Sequence, residues 1–102
     1  NRYGEAGILW KRAEAAAKRG ERESALADFE ASAAIVEELG ARPDLARILR
    51  GWGETLRASA RGAEGDEKLR RSLALFEEMG IAAEADAVRA SLAGKQIGAA
   101  AG

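Results

Sequence analysis

The apolar positions fall into five helical stripes separated by short polar or glycine-bearing breaks. Over residues 5–19, Ile8, Leu9, Ala13, Ala16 and Ala17 recur at spacings of three and four, the period of one helix face. Residues 22–39 repeat the pattern with Ala25, Phe29, Ser32, Ile35, Val36 and Leu39. Residues 43–60 carry Leu45, Ile48, Leu49, Trp52 and Leu56, and residues 66–79 carry Leu69, Leu73, Leu75, Phe76 and Met79. Residues 82–93 show Ala85, Val88 and Leu92, with Ile81 just ahead. No stretch alternates apolar and polar positions as a half-buried strand would. The pattern predicts an all-α chain whose short turns make successive helices antiparallel.

The breaks carry their own chemistry. Gly20 follows Lys18 and Arg19, cations suited to a helix C-terminus, and Gly40 and Gly80 stand where C-caps belong. Arg42-Pro43-Asp44 reads as a helix start, with proline in the first turn and an acid at the positive end of the helix dipole. ARGAEG, residues 60–65, reads as a turn with Asp66 as the next N-cap. Residues 1–4 read as a flexible leader, residues 5–94 as the folded region, and residues 95–102, KQIGAAAG, as a disordered tail. Gly51 and Gly53 flank Trp52 inside the third helix, where each costs about 1 kcal/mol against alanine. Close approach of a neighbouring helix accounts for Gly53; Gly51 has no account at this level.

The chain also repeats itself. FEASAAIVEELG, residues 29–40, aligns with LRRSLALFEEMG, residues 69–80, at an offset of 80 − 40 = 40. Ser32 falls on Ser72, Ala34 on Ala74, and Glu37 and Glu38 on Glu77 and Glu78. Most unlike pairs exchange one apolar residue for another. A period in this range is the signature of stacked helical units.

Composition narrows the function classes. Sixteen basic and seventeen acidic side chains leave a formal net charge of −1, which favours neither nucleic acid nor an anionic membrane. Cysteine and histidine are absent, so disulfides, thiol nucleophiles, Cys/His zinc sites and the commonest general base are excluded. No apolar run approaches the ~20 residues that span a bilayer. With 47% hydrophobic residues but only 5% aromatic, much of the core is alanine, which buries little area and leaves room for help from a partner. The lack of cysteine fits the cytoplasm, and Asn1 in first place fits a segment of a longer protein.

Leu49-x2-Trp52-Gly53-x2-Leu56 has the spacing of the tetratricopeptide first-helix signature, W-x2-L-G-x2-Y. Gly65-x3-Leu69 and Ala25-x3-Phe29 match the small–large pair of the second helix, and Gly20 stands at the turn glycine. The chain therefore resembles about two tetratricopeptide-like repeats plus one terminal helix, similar to repeat regions of bacterial multidomain regulators. It departs from that pattern in its forty-residue period, in lacking the closing proline, and in carrying Ala60 at the second turn glycine. The period also fits HEAT or armadillo-type repeats. The resemblance implies a short α-solenoid of antiparallel hairpins whose first helices line a concave binding surface.

Nothing points to catalysis, a cofactor or a metal. Glu37-Glu38 and Glu77-Glu78 are neighbours in sequence only, since adjacent helical residues face different ways. Gly51-x-Gly53 has no preceding strand and Leu56 in place of a third glycine, so it is no phosphate loop. For binding, the resemblance would place Arg47, Arg50, Glu54 and Arg57 on the concave side of the third helix, with Trp10 on the same line of the first. A basic groove there would grip acidic side chains or a peptide carboxylate through forked arginine hydrogen bonds. The plainer reading is a solvated face with Glu54 bridging Arg50 and Arg57. Trp10 is either a partner anchor or packs near Phe29 at the open end. Trp52 sits in a core slot.

The expected function is a protein–protein interaction module in a larger regulatory protein. Its partner would be a peptide, another domain of the parent chain, or a second copy, with no nucleic acid and no membrane. The alternative is a structural or oligomerising helical segment without a peptide ligand, self-associating through an apolar face of the terminal helix.

Overall fold

Twenty-residue steps set the architecture. A computed structural model describes the backbone of residues 1–101 and the side chains of residues 1–94. The described residues form α1 (Arg2–Lys18), α2 (Arg22–Leu39), α3 (Arg42–Ala58), α4 (Gly62–Met79) and α5 (Ala82–Ala101). Each helix thus starts 20 residues after the last, 22 − 2 and 42 − 22 alike. The joints explain this. Residues 20, 40, 60 and 80 all adopt the left-handed conformation, with φ of 78°, 74°, 62° and 72°. The next amide then closes on the carbonyl five residues back, Glu21 to Ala16, Ala41 to Val36, Arg61 to Leu56 and Ile81 to Phe76, each at 2.9 Å. This is the Schellman ending of a helix, which satisfies carbonyls the last turn leaves open. The four residues whose carbonyls accept are all buried. Turn geometry and core register are therefore fixed by the same positions.

The result is an all-α solenoid of two antiparallel hairpins, α1–α2 and α3–α4, with α5 as a fifth helix. Helices pack in chain order, and α1 touches α3 only lightly. Side-chain links join α1, α3 and α5 along one layer, and α2 to α4 along the other. One core holds Ala13, Ala25, Phe29, Val36, Ile48 and Leu49; a second holds Ala46, Leu69, Phe76, Ala85 and Val88. The forty-residue repeat is visible in detail. Arg2 reaches Glu38 at 3.3 Å, and Arg42 reaches Glu78 at 2.6 Å, the same pair one hairpin later. Ser32 and Ser72 are both fully buried.

Some expected boundaries move. Residues 1–4 are not a leader: Asn1 Oδ1 accepts the Gly4 N–H at 2.6 Å, capping a helix that starts at Arg2. Residues 60–65 are not one long turn, because Ala60 makes the left-handed bend by itself and α4 starts at Gly62. Asp66 is consequently inside the helix, 3.8 Å from Arg57, and is no N-cap. Helix α3 ends at Ala58, and α5 is assigned beyond the expected end at 93. The side chains of the expected tail, residues 95–102, lie outside the described residues.

Close helix approach accounts for both glycines beside Trp52. A Cβ on Gly53 would lie 2.8 Å from the Gly65 carbonyl oxygen and 2.9 Å from Leu69 Cγ, so α3 and α4 meet backbone to backbone. A Cβ on Gly51 would come within 3.0 Å of two ring carbons of Phe29. Gly51 thus lets the Phe29 ring of α2 come up between α1 and α3.

Among its described side chains, residues 82–94, the terminal helix does not offer the expected apolar face. Ala85 and Val88 are buried in the second core. In the repeat register, the places of Ala46 and Leu49 are taken on α5 by Asp86 and Arg89. Arg89 is bonded at 2.6 Å to both Asp86 and Glu77. A charged surface of this kind is solvated rather than sticky. No described helix is long and apolar enough to cross a membrane.

Candidate functional site

The arginines singled out from the sequence are engaged inside the fold. Arg47 donates from Nε and Nη2 to the two carboxylate oxygens of Glu84 on α5, each at 3.0 Å, and lies 3.8 Å from Asp44. That fork holds the Glu84 carboxyl below its ordinary range. Arg57 donates to the Ser91 carbonyl at 3.1 Å and the Ser91 hydroxyl at 3.3 Å, with Asp66 3.8 Å away. Arg50 makes a single 3.4 Å contact with Glu54. Glu54 therefore holds Arg50, while Arg57 turns to α4 and α5. The stripe Arg47, Arg50, Glu54 and Arg57 does share one layer, and its charges mainly stitch α3 to α5.

Open clefts of about 390 Å³ beside Arg12 and Asp28 and of about 360 Å³ beside Trp52 and Lys68 lie on the other side, and the space next to the arginine stripe lies between α1 and α3 over Phe29. One cavity of about 330 Å³ is bounded by Glu14, Ala17, Lys18, Arg22, Phe29, Gly51, Glu54, Thr55 and Ala58. A second, about 310 Å³, shares Glu14, Gly51 and Glu54 and adds Trp10, Arg47, Arg50 and Glu84. A small apolar hole of about 160 Å³, lined by Ala6, Gly7, Trp10, Val36 and Ile48, continues towards Tyr3 and Asp44. There the Tyr3 hydroxyl donates to Asp44 at 2.6 Å, and holding that proton raises the phenol above its ordinary value. Trp10 lines both of these last spaces. It is partly buried against the first core, and its indole N–H is out of solvent with no acceptor among the described residues. The ring thus packs on the core while its N–H stays covered.

Trp52 lies on the other side, packed against the first core with Lys68 Nζ 4.3 Å from its ring centre. That is a cation–π contact at a half-covered indole. Among the described residues no group of three or more His, Cys, Asp or Glu could hold a metal ion.

Sequence reasoning missed Tyr3, Glu14, Phe29 and Glu84 as groove or latch residues. The repeat register was the available signal: Glu14 and Glu54 are 54 − 14 = 40 apart, as are Asp44 and Glu84. No family model matches this chain, and no curated protein or solved structure matches it either.

Proposed function

We propose that this chain is a protein-interaction module that holds a peptide segment of a partner along the groove between α1 and α3. The carrying observation is the groove itself. Its floor is the Phe29 ring, Gly51 keeps it open, and Trp10 and charged side chains border it. Mixed apolar floors with a few convergent polar groups are how small sites gain both affinity and orientation. The tetratricopeptide-like reading belongs to the same proposal; the forty-residue hairpin register and the Gly53–Gly65 packing support it. So does the placement within a bacterial, cytoplasmic multidomain regulator, whose other domains or their ligands would supply the segment. The role is binding, with no catalysis.

The test is selection of random linear peptides on the folded protein. Enriched peptides should bind with micromolar affinity and lose it in A17R/A58R, which fills the groove from its rim. A library that shows no enrichment overturns the proposal.

One observation favours the structural alternative. Ile8 is 69% exposed on α1, whereas Ile48, its counterpart on α3, is covered completely by α2 and α1 neighbours in the first core. A second copy packing on that face would bury Ile8. Sedimentation across concentration should then show association that Ile8→Glu removes; a monomer throughout rules this reading out.

A further inference from the structure

We infer that two copies of this chain pair through α1 in antiparallel order, with Ile8 of each copy beside a two-fold axis and Glu5 of each against Arg12 of the other. This rests on the self-association reading above and is independent of peptide binding.

The face concerned is covered on α3 and bare on α1. On α3 it consists of Leu45, Ile48 and Trp52; the first two are buried and Trp52 packs against the first core. Forty residues earlier stand Glu5, Ile8 and Arg12, all exposed. Spacings of three and four keep them on one side of the helix. A single exposed isoleucine is ordinary by itself. The informative change is in its flanks, where leucine and tryptophan give way to an acid on one side and a base on the other.

Opposite charges on either side of an apolar residue match themselves under a two-fold rotation, which is what an isologous contact requires. With the axis between residues 8 and 9, Glu5 of each copy faces Arg12 of the other, and the two isoleucines meet at the centre. In the same register Arg2 falls opposite Ala15, and Lys11 opposite the buried Ala6, so no like charges oppose each other. Gly4, one turn before Ile8, holds nothing that would keep the copies apart; only the Asn1 side chain lies near it.

Both charges are prepared for the contact. Glu5 has no ion pair among the described residues. Arg12 donates from Nε and Nη2 to Asp28, at 2.7 and 2.9 Å, which fixes the guanidinium at the surface. Its Nη1 makes no hydrogen bond among the described residues, and the side chain is 63% exposed. Asp28 therefore orients a planar donor whose free edge suits a second carboxylate. Arg89 already bridges two acids in this way, Asp86 and Glu77. Because those charges are satisfied within one chain, the α5 end offers α1 no equivalent partner, and the contact closes as a dimer.

Sedimentation equilibrium across concentration is the test, with circular dichroism matched to the native chain for every variant. The native chain should pass from monomer to dimer and stop there, and Ile8→Glu should remain monomeric. E5Q and R12Q should each weaken the dimer about threefold or more, since each removes the pair at both ends. E5Q/R12Q should weaken it little further than either single variant, because both substitutions remove the same contacts. Within one chain Arg12 answers to Asp28 and not to Glu5, so that coupling reports the other copy. Association that Ile8→Glu abolishes but E5Q and R12Q leave unchanged, that E5Q strengthens as parallel pairing would, or that grows past the dimer overturns this inference and leaves self-association standing. A native chain that is monomeric throughout overturns the self-association reading and the inference with it.

Discussion

Glu84 on α5 receives Arg47 from α3 in the place where Asp44 on α3 receives Tyr3 from α1. Asp44 and Glu84 are one repeat apart, and each takes a donor from the first helix of the preceding hairpin. The donors differ, a phenol in one case and a guanidinium in the other, so the two joints respond to opposite ends of the pH scale.

At the acid end the Arg47–Glu84 joint governs. The Glu84 carboxyl is lowered in the folded state, first by the Arg47 hydrogen bonds. Its contribution is present above the unfolded value of about 4.3 and is lost as pH falls through the lowered folded value. Thermal midpoints measured between about pH 6 and about pH 3 should therefore decline less steeply in Glu84→Gln than in the native chain. Near neutrality the substitution should cost about 0.5–1 kcal/mol, because the pair is half-exposed. Equal acid slopes in the two proteins would show that the fork is not coupled to folding. Asp28, lowered by Arg12 in the same way, keeps some slope in both.

At the alkaline end the Tyr3–Asp44 joint governs. The phenol is raised because Asp44 holds its proton, and the negative carboxylate opposes ionisation. Its contribution is complete below the unfolded value of about 10 and disappears as pH rises through the raised folded value. Tyr3→Phe should lower the urea midpoint at about pH 8 and leave little further loss at about pH 11 that is specific to this joint. A Phe variant as stable as the native chain at the lower pH would contradict the joint.

Gly53→Ala and Gly65→Ala should each destabilise by about 1–3 kcal/mol, the range for overpacking. Both added methyls meet backbone, at 2.8 Å and 2.6 Å respectively. Gly51→Ala should cost less, because its methyl meets only the Phe29 ring at 3.0 Å and alanine gains about 1 kcal/mol of helix propensity. Denaturant titration of the three variants gives the order directly. The corresponding Ala13 and Ala25 are both fully buried, so the α1–α2 hairpin already holds the methyls that α3–α4 should reject.

Ala60 has φ of 62°, the only non-glycine residue with positive φ among the described residues. The left-handed region costs alanine about 1–2 kcal/mol, and glycine returns part of that through unfolded-chain entropy. Ala60→Gly should raise stability by about 0.5–1 kcal/mol. Gly20→Ala, at φ of 78°, should lower it by a similar amount. Calorimetric midpoints that move the other way would mean that these joints are not rigid in solution.

Helix positions, the forty-residue repeat and the role of Gly53 were legible because periodicity, left-handed glycines and small-residue packing are local or nearly local signals. The twenty-residue step was not, because its defining positions hold Ala16, Val36, Leu56 and Phe76, four residues of different size that share only burial. The start of α1 was missed because Asn1 caps it from the first position of the sequence. The start of α4 was missed because Ala60 does what glycine does at the other turns. The arginine stripe was placed on the correct helix, but its partners Glu84 and Ser91 lie 37 and 34 residues downstream. Spacing along one helix cannot reveal a neighbour that distant, so a surface that reads as basic is largely neutralised once folded.

The identical joints at residues 20, 40, 60 and 80 have an evolutionary consequence. A duplicated forty-residue segment inserted at any of them enters in register, because each junction turns on one left-handed residue and closes on the carbonyl of a buried one. Length can change by copying whole hairpins without redesigning either neighbour, since each helix answers chiefly to the ones beside it. Lineages that carry such a chain are thus free to lengthen or shorten it in single genetic steps.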